Sequence, residues 1–167
     1  MCGDTNRPTF GGTIAVLFPQ DNRLSAERSL SSSPESVISQ STSSSTSSLS
    51  SYSLFFRDTS DRKTKAVFRI EDLETYQALN SCDSLDIRIE KYGDLSTSSS
   101  SIAPLHQFLL DLSQNKHLKP DHQPTEMEFD LPEQLDLGVS EKGVVGRQVT
   151  VRESQGSILG IGIVGYN

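Results

Sequence analysis

Tryptophan is absent from this chain of 167 residues, and cysteine occurs only twice, at Cys2 and Cys82. Two cysteines cannot build a disulfide framework, so the fold has to be held by its core, and a reducing compartment fits better than secretion. No apolar run approaches the roughly 18 residues that a membrane-spanning helix needs. A charged segment followed by an apolar one is also missing at the start, so no secretory leader is expected; Thr13–Phe18 is too short and stops at Pro19. Cations are scarce: Lys and Arg number 15 against 22 Asp and Glu, for a net charge of −7. A free nucleic-acid binder usually carries a basic face, and the one basic cluster here is Arg62-Lys63-x-Lys65. An intracellular protein, of cytoplasm, nucleus or virion, is therefore expected.

What is abundant is serine. From Ser25 to Ser53 most residues are serine, and Ser96–Ser101 repeats the pattern in brief. Serine adds no apolar area to offset the roughly 1–2 kcal/mol per residue that ordering a backbone costs, so the tracts are expected to be disordered. The resulting division is a flexible 1–12, a strand 13–18 that docks on the main domain, a disordered Ser-rich linker 19–51, and an α+β domain 52–167. A long insertion is tolerable because closure entropy grows only logarithmically with length. Arg28-Ser29-Leu30-Ser31-Ser32-Ser33-Pro34-Glu35 supplies a basic residue three before Ser31, a Ser-Pro pair at Ser33 and Glu35 three after Ser32. Ser31, Ser32 and Ser33 are accordingly candidate phosphorylation sites, each worth about −1.5 to −2 charges when modified.

Outside the tracts, periodicity sets the elements. Tyr52–Arg57 and Lys65–Ile70 read as the two arms of a hairpin around Asp58–Arg62. Glu71–Asn80 switches to helical spacing, with Leu73, Tyr76 and Leu79 on one face. Leu85–Glu90 alternates as a half-buried strand. Leu105, Phe108, Leu109 and Leu112 fall at helical intervals after Ser101 and Pro104, which predicts a second helix. Met127, Phe129 and Leu131 alternate with Glu126, Glu128 and Asp130, an acidic-faced strand that Pro132 places at an edge or ends. Gly143–Arg152 and Ser157–Gly165 close the chain as strands around the turn Glu153–Gly156. The fold class expected is α+β: a small, mainly antiparallel sheet of about six strands with two helices, interrupted by the long disordered Ser-rich insert.

Several residues invite chemistry. Met1-Cys2-Gly3 resembles the start of class II glutamine amidotransferases, in which loss of the Met frees the cysteine as nucleophile. The resemblance ends there: the arginine and Asn-Gly motifs that hold glutamine have no counterpart, and Asp4 stands where an apolar residue is usual. Cys82 is flanked by Asp83, which raises rather than lowers a thiol pKa. His106 falls on the polar side of the expected second helix. His117, Asp121 and His122 are metal-ligand types, but their spacing matches no standard site. Gly160-x-Gly162 with Gly165 lacks the following helix of a dinucleotide loop, so these glycines read as permitting close packing or a bulge. Seven acids lie between Asp121 and Glu141 with no Lys or Arg among them, equal to the whole net charge.

The reading that results is a non-enzymatic protein-interaction or structural protein with a phosphorylatable Ser-rich loop, such as a small viral matrix-like or host-directed accessory protein. No catalytic, cofactor or metal residue is assigned. The partner is a protein, including a second copy through the terminal strand (Ile158, Leu159, Ile161, Ile163 and Val164) if that strand lies at a sheet edge. Two alternatives remain open. One is a small enzyme using Cys2, Cys82 or His117–His122; the other is a nucleic-acid binder through Arg57, Arg62, Lys63 and Lys65.

Overall fold

A computed structural model describes residues 12–20, 49–95, 103–113 and 125–167. These residues form strands β1 (Thr13–Leu17), β2 (Tyr52–Asp58) and β3 (Thr64–Ile70), the helix α1 (Leu73–Ser81), and strands β4 (Ser84–Ile89), β5 (His106–Asp111), β6 (Thr125–Asp130), β7 (Gln148–Glu153) and β8 (Ile158–Tyr166). Every strand pairing is antiparallel, in the order β5-β4-β7-β8-β1-β2-β3-β6. The sheet curls into a nearly closed barrel. Residues 21–48 of the Ser-rich tract, and the shorter tract at 96–101, lie outside the described residues.

The α+β expectation is therefore corrected. The described residues are mostly β, with eight strands and one helix in place of about six strands and two helices. The error is traceable to residues 105–112. Leu105, Phe108, Leu109 and Leu112 satisfy a 3.6-residue period, but Phe108, Leu110 and Leu112 satisfy a period of two, and the segment is β5. Leu109 decides the matter: it is 72% exposed, while Phe108, Leu110 and Leu112 are buried. Cross-strand pairing with β4, from Ser84↔Asp111 to Ile89↔His106, overrides the local helical stripe.

Inward side chains alternate along each strand. Leu17, Leu54, Phe56, Phe68, Ile87 and Val149 are among those buried in the barrel. Tyr52 and Phe68 meet with ring centroids 6.3 Å apart, and Phe68 takes Phe129 edge-on at 5.9 Å. β8 contributes less bulk because Gly160, Gly162 and Val164 face in. The Tyr52 ring fills the space at Gly160: a Cβ there would stand 2.6 Å from Tyr52 Oη and 3.0 Å from Leu17 Cβ. At Gly162 a Cβ would stand 2.2 Å from the Val16 carbonyl oxygen, so β1 and β8 approach more closely than a side chain allows. Burial first, then the nearby Cys82 thiol, push the Tyr52 hydroxyl pKa up. At the open side of the barrel, His106 Nδ1 at the start of β5 is 2.9 Å from Glu133 Oε1, just past β6, and so links the two edges.

Helix α1 packs Thr75, Tyr76 and Leu79 inward and starts on Asp72, whose carboxylate accepts from the Thr75 amide at 2.8 Å and the Thr75 hydroxyl at 2.7 Å. Thr75 Oγ1 in turn accepts from the Ser50 amide at 2.8 Å, which ties the cap to the residues entering β2. The Thr75 hydroxyl, then its backbone amide, hold the Asp72 carboxyl below its ordinary value.

Two outcomes test this account. Gly162→Ala should cost about 1–3 kcal/mol in urea unfolding, the usual toll of overpacking. Gly165→Ala, where the nearest atom would be Ile14 O at 3.9 Å, should cost markedly less. Equal effects would contradict the close approach at Gly162. Asp72→Ala should lower the melting temperature near neutral pH. A depressed carboxyl stabilises above its unfolded pKa and loses that contribution as pH falls through the folded one. The gap between variant and parent should therefore close in acid, below the ordinary Asp pKa of 3.8.

Candidate functional site

Strand register converts the outer face of β8-β1-β2-β3-β6 into rows of side chains. One row runs Gly165, Ile14, Phe55, Val67, Glu128. The neighbouring row carries Val16, Ser53, Arg69 and Glu126, and the row beyond Phe55 carries Arg57, Lys65 and Asp130. The β1–β8 offset continues to Phe18 and Ile161, whose backbones exchange hydrogen bonds of 2.9 and 3.0 Å. Ile163 then falls beside Val16. The face is thus apolar over β8 and β1 and charged over β3 and β6.

Phe55 marks the border. It points away from the barrel yet is only 5% exposed, because the guanidinium groups of Arg57 and Arg69 lie over its ring, each 5.1 Å from the centroid. Arg69 is also engaged by Glu126, Nη2 to Oε1 at 2.7 Å, and Lys65 by Glu128 at 3.0 Å. The hydrogen bond and charge of Glu128 raise the Lys65 pKa. Arg57 has no carboxylate within ion-pair reach among the described residues. Ile14, Ser53, Phe55, Arg57, Arg69 and Glu71 border a shallow groove of about 600 Å³ here. On the apolar side Phe18 is 62% and Val16 44% exposed, with Ile161 and Ile163 half-buried beside them.

The residues singled out from sequence do not gather at this face, apart from Arg57, Lys65 and part of β8. Cys2, Ser31, Ser32, Ser33, His117, Asp121 and His122 lie outside the described residues. Cys82 is buried at the end of α1, where its thiol donates to the Ala78 carbonyl at 3.4 Å. His106 stacks on Phe108 beside its Glu133 contact. Among the described residues no three His, Cys, Asp or Glu side chains assemble as a cation site. Arg62 sits in the turn with φ 57°, and Lys65 is taken up by β6, so the basic hairpin does not present a continuous cationic strip. The acids Glu126, Glu128 and Asp130 form an outward row on β6. No described helix is long and apolar enough to cross a membrane.

The terminal strand is not at an edge. β8 pairs with β7 on one side and β1 on the other, so its backbone offers nothing to a further strand. Val164 is in the core and Leu159 packs against it, Ile158 opposes Arg152 across a bulge, and Ile161 and Ile163 face out. Sequence reasoning missed Val16, Phe18 and Phe55 as outward residues. Thr13–Phe18 is apolar at almost every position, so its alternation was hidden; the Arg57 and Arg69 that flank Phe55 were the available signal.

No family model and no curated protein matches the chain. Solved structures of similar outline include Candida albicans superoxide dismutase 5 with Cu(II), 10% identical with a TM-score of 0.46, covering 94% of this chain and 92% of that one. An aspartate-to-asparagine mutant of that protein is 9% identical with a TM-score of 0.47, covering 93% and 92%. A glutamate-to-alanine mutant is 8% identical with a TM-score of 0.45, covering 93% and 90%. A likeness of this size carries no activity, metal or partner to this chain.

If the two guanidinium groups are what shields Phe55, Arg57→Ala should cost about 0.5–1 kcal/mol in chemical unfolding. Phe55→Ala should cost about 3–5 kcal/mol. In the Phe55→Ala background the Arg57 substitution should lose most of its effect, and additive costs would show that Arg57 does not act through the ring.

Proposed function

We propose that this chain is a non-enzymatic protein-interaction module whose binding surface is the outer face of β8-β1-β2-β3. The observation that supports this reading most directly is the juxtaposition of exposed Phe18 and Val16 with the doubly covered Phe55 and with Arg57, which has no carboxylate in ion-pair reach among the described residues. An apolar centre bordered by aromatic and Arg side chains is the usual make-up of a protein contact, in which Phe, Tyr, Trp and Arg supply most of the energy. The groove beside Phe55 is open and shallow, which suits a partner's side chains. Charge sets the orientation: Arg57 attracts a carboxylate or phosphate, while the acidic row on β6 repels one. On composition the reading extends to a small viral structural or host-directed accessory protein.

The test is site-specific photo-cross-linking in the source cells, with the cross-linker at Ser53 between the two halves of the face, or at exposed Gln107 on the edge strand β5, four strands away from β1 in the sheet order. A partner captured from Ser53 and not from Gln107, and lost on Arg57→Gln with an unchanged circular dichroism spectrum, is the expected result. Equal capture from both positions, or none from Ser53, would remove the reading.

A further inference from the structure

On the other half of the sheet, β5, β4 and β7 carry a second groove, built from charged side chains. We propose that it binds a free α-amino acid. Arg152 takes the carboxylate, Asp86 and Glu153 face the ammonium group, and Leu109 lies beside the side chain. The proposal goes beyond the interaction reading and does not depend on it.

Strand register assembles the groove. Leu109, Asp86 and Arg152 stand in one outward row, because Asp86 pairs with Leu109 on β5 and with Arg152 on β7. Glu153 ends β7 and opens the turn to β8. That turn is closed by the Gly156 amide on the Glu153 carbonyl at 2.8 Å and the Glu153 amide on the Ser157 carbonyl at 2.9 Å. At Arg152 the ladder to β8 slips: Val151 pairs with Gly160 but Arg152 with Ile158, so Leu159 is the extra residue of a bulge. Bulges re-aim the side chains near them and are frequent beside binding sites. Asp86, Gln107, Leu109, Arg152 and Glu153 help to line an open groove of about 570 Å³, within the range of about 300–1,000 Å³ usual for small-ligand sites.

The charges of this groove do not neutralise one another. Residues directly opposite on antiparallel strands have Cβ atoms about 4.5–5.5 Å apart, which suits a cross-strand ion pair. Asp86 and Arg152 nevertheless form none. Both Asp86 oxygens accept instead from Gln107 Nε2, reached diagonally on β5, at 3.0 Å each. Arg152 has no carboxylate in ion-pair reach among the described residues, and its Nε is buried without a hydrogen-bond partner there. A guanidinium presents its donors as a rigid fork that matches the two oxygens of a carboxylate. The Glu153 carboxylate likewise enters no ion pair among the described residues.

Charge selects the ligand. One guanidinium stands against two carboxylates, so the groove is acidic on balance. A simple anion is repelled, and a simple cation leaves Arg152 without an acceptor. A molecule carrying both charges a few ångströms apart satisfies both sides. An α-amino acid, with ammonium and carboxylate on one carbon, is the smallest of that kind. Asp86 can still serve it, because an ionised carboxylate offers about four lone-pair sites and Gln107 takes only some of them. The exposed Leu109 adds aliphatic surface and favours an aliphatic side chain.

The deciding experiment is an NMR titration of the nitrogen-labelled full chain with leucine. Amide resonances of β4, β5, β7 and the turn after Glu153 should shift, with a dissociation constant on the order of 1 mM. N-acetyl-leucine, which keeps the carboxylate alone, and leucinamide, which keeps the ammonium alone, should each bind at least about tenfold more weakly. Arg152→Gln should abolish the leucine shifts. Should that variant fail to fold, Arg152→Lys, which keeps the charge and loses the fork, should bind about tenfold more weakly than the parent. Absence of shifts at about ten times the expected constant overturns the proposal. So does binding of either blocked leucine as tightly as leucine itself, or undiminished binding by the Arg152 variants. Arg57→Gln, which removes the partner of the interaction face, should leave leucine binding intact, so the two proposals fail separately.

Discussion

The pairing of β1 with β8 on one side and β2 on the other holds the described sheet together. Remove that five-residue strand and the order falls into two pieces, β5-β4-β7-β8 and β2-β3-β6, with no backbone pairing between them. Among the described residues the only ladder connection between the two halves comes from β1. The residues around β1 are accordingly tightly constrained in shape. Gly162 must lack a side chain because Val16 lies against it, and the Tyr52 ring takes the space beside Gly160. The outer stripe inherits its form from the same contact.

A strand at the centre of a sheet has no spare backbone groups, so whatever β1 and β8 recognise they recognise by side chains. That limits recognition to packing over Phe18 and Val16 and to the Arg57–Phe55–Arg69 group next to them. The outward face therefore divides into an uncharged portion and a portion in which cations are paired with the acids of β6. Surface pairs such as Lys65–Glu128 contribute little to stability. They matter more in leaving Arg57 as the cation of that face without a carboxylate neighbour among the described residues.

Much of the β structure was legible in the sequence. The hairpin of β2 and β3 follows from two β-branched and aromatic runs around Asp58–Arg62, and β4 from strict alternation in Leu85–Glu90. Helix α1 follows from the spacing of Leu73, Tyr76 and Leu79, although Leu73 itself is exposed. What failed was the segment 105–112, where two periods fit the same leucines and only the partner strand β4 could choose between them. The whole-sheet order was equally hidden, because pairings such as β3 with β6 and β4 with β7 join strands distant in sequence. The interaction surface was illegible for a related reason: an unbroken apolar run does not say which of its residues face outward.

The link between His106 and Glu133 bears on how the barrel breathes. It joins the first residue of β5 to the segment following β6, the two strands that have no ladder partner on their outer sides among the described residues. A side-chain contact of this kind gives no cooperative backbone ladder, so the seam between the two outermost strands is where local opening costs least. Amide protons along β5 and β6 would then exchange with solvent by a low-energy route while those of β1 wait for global unfolding.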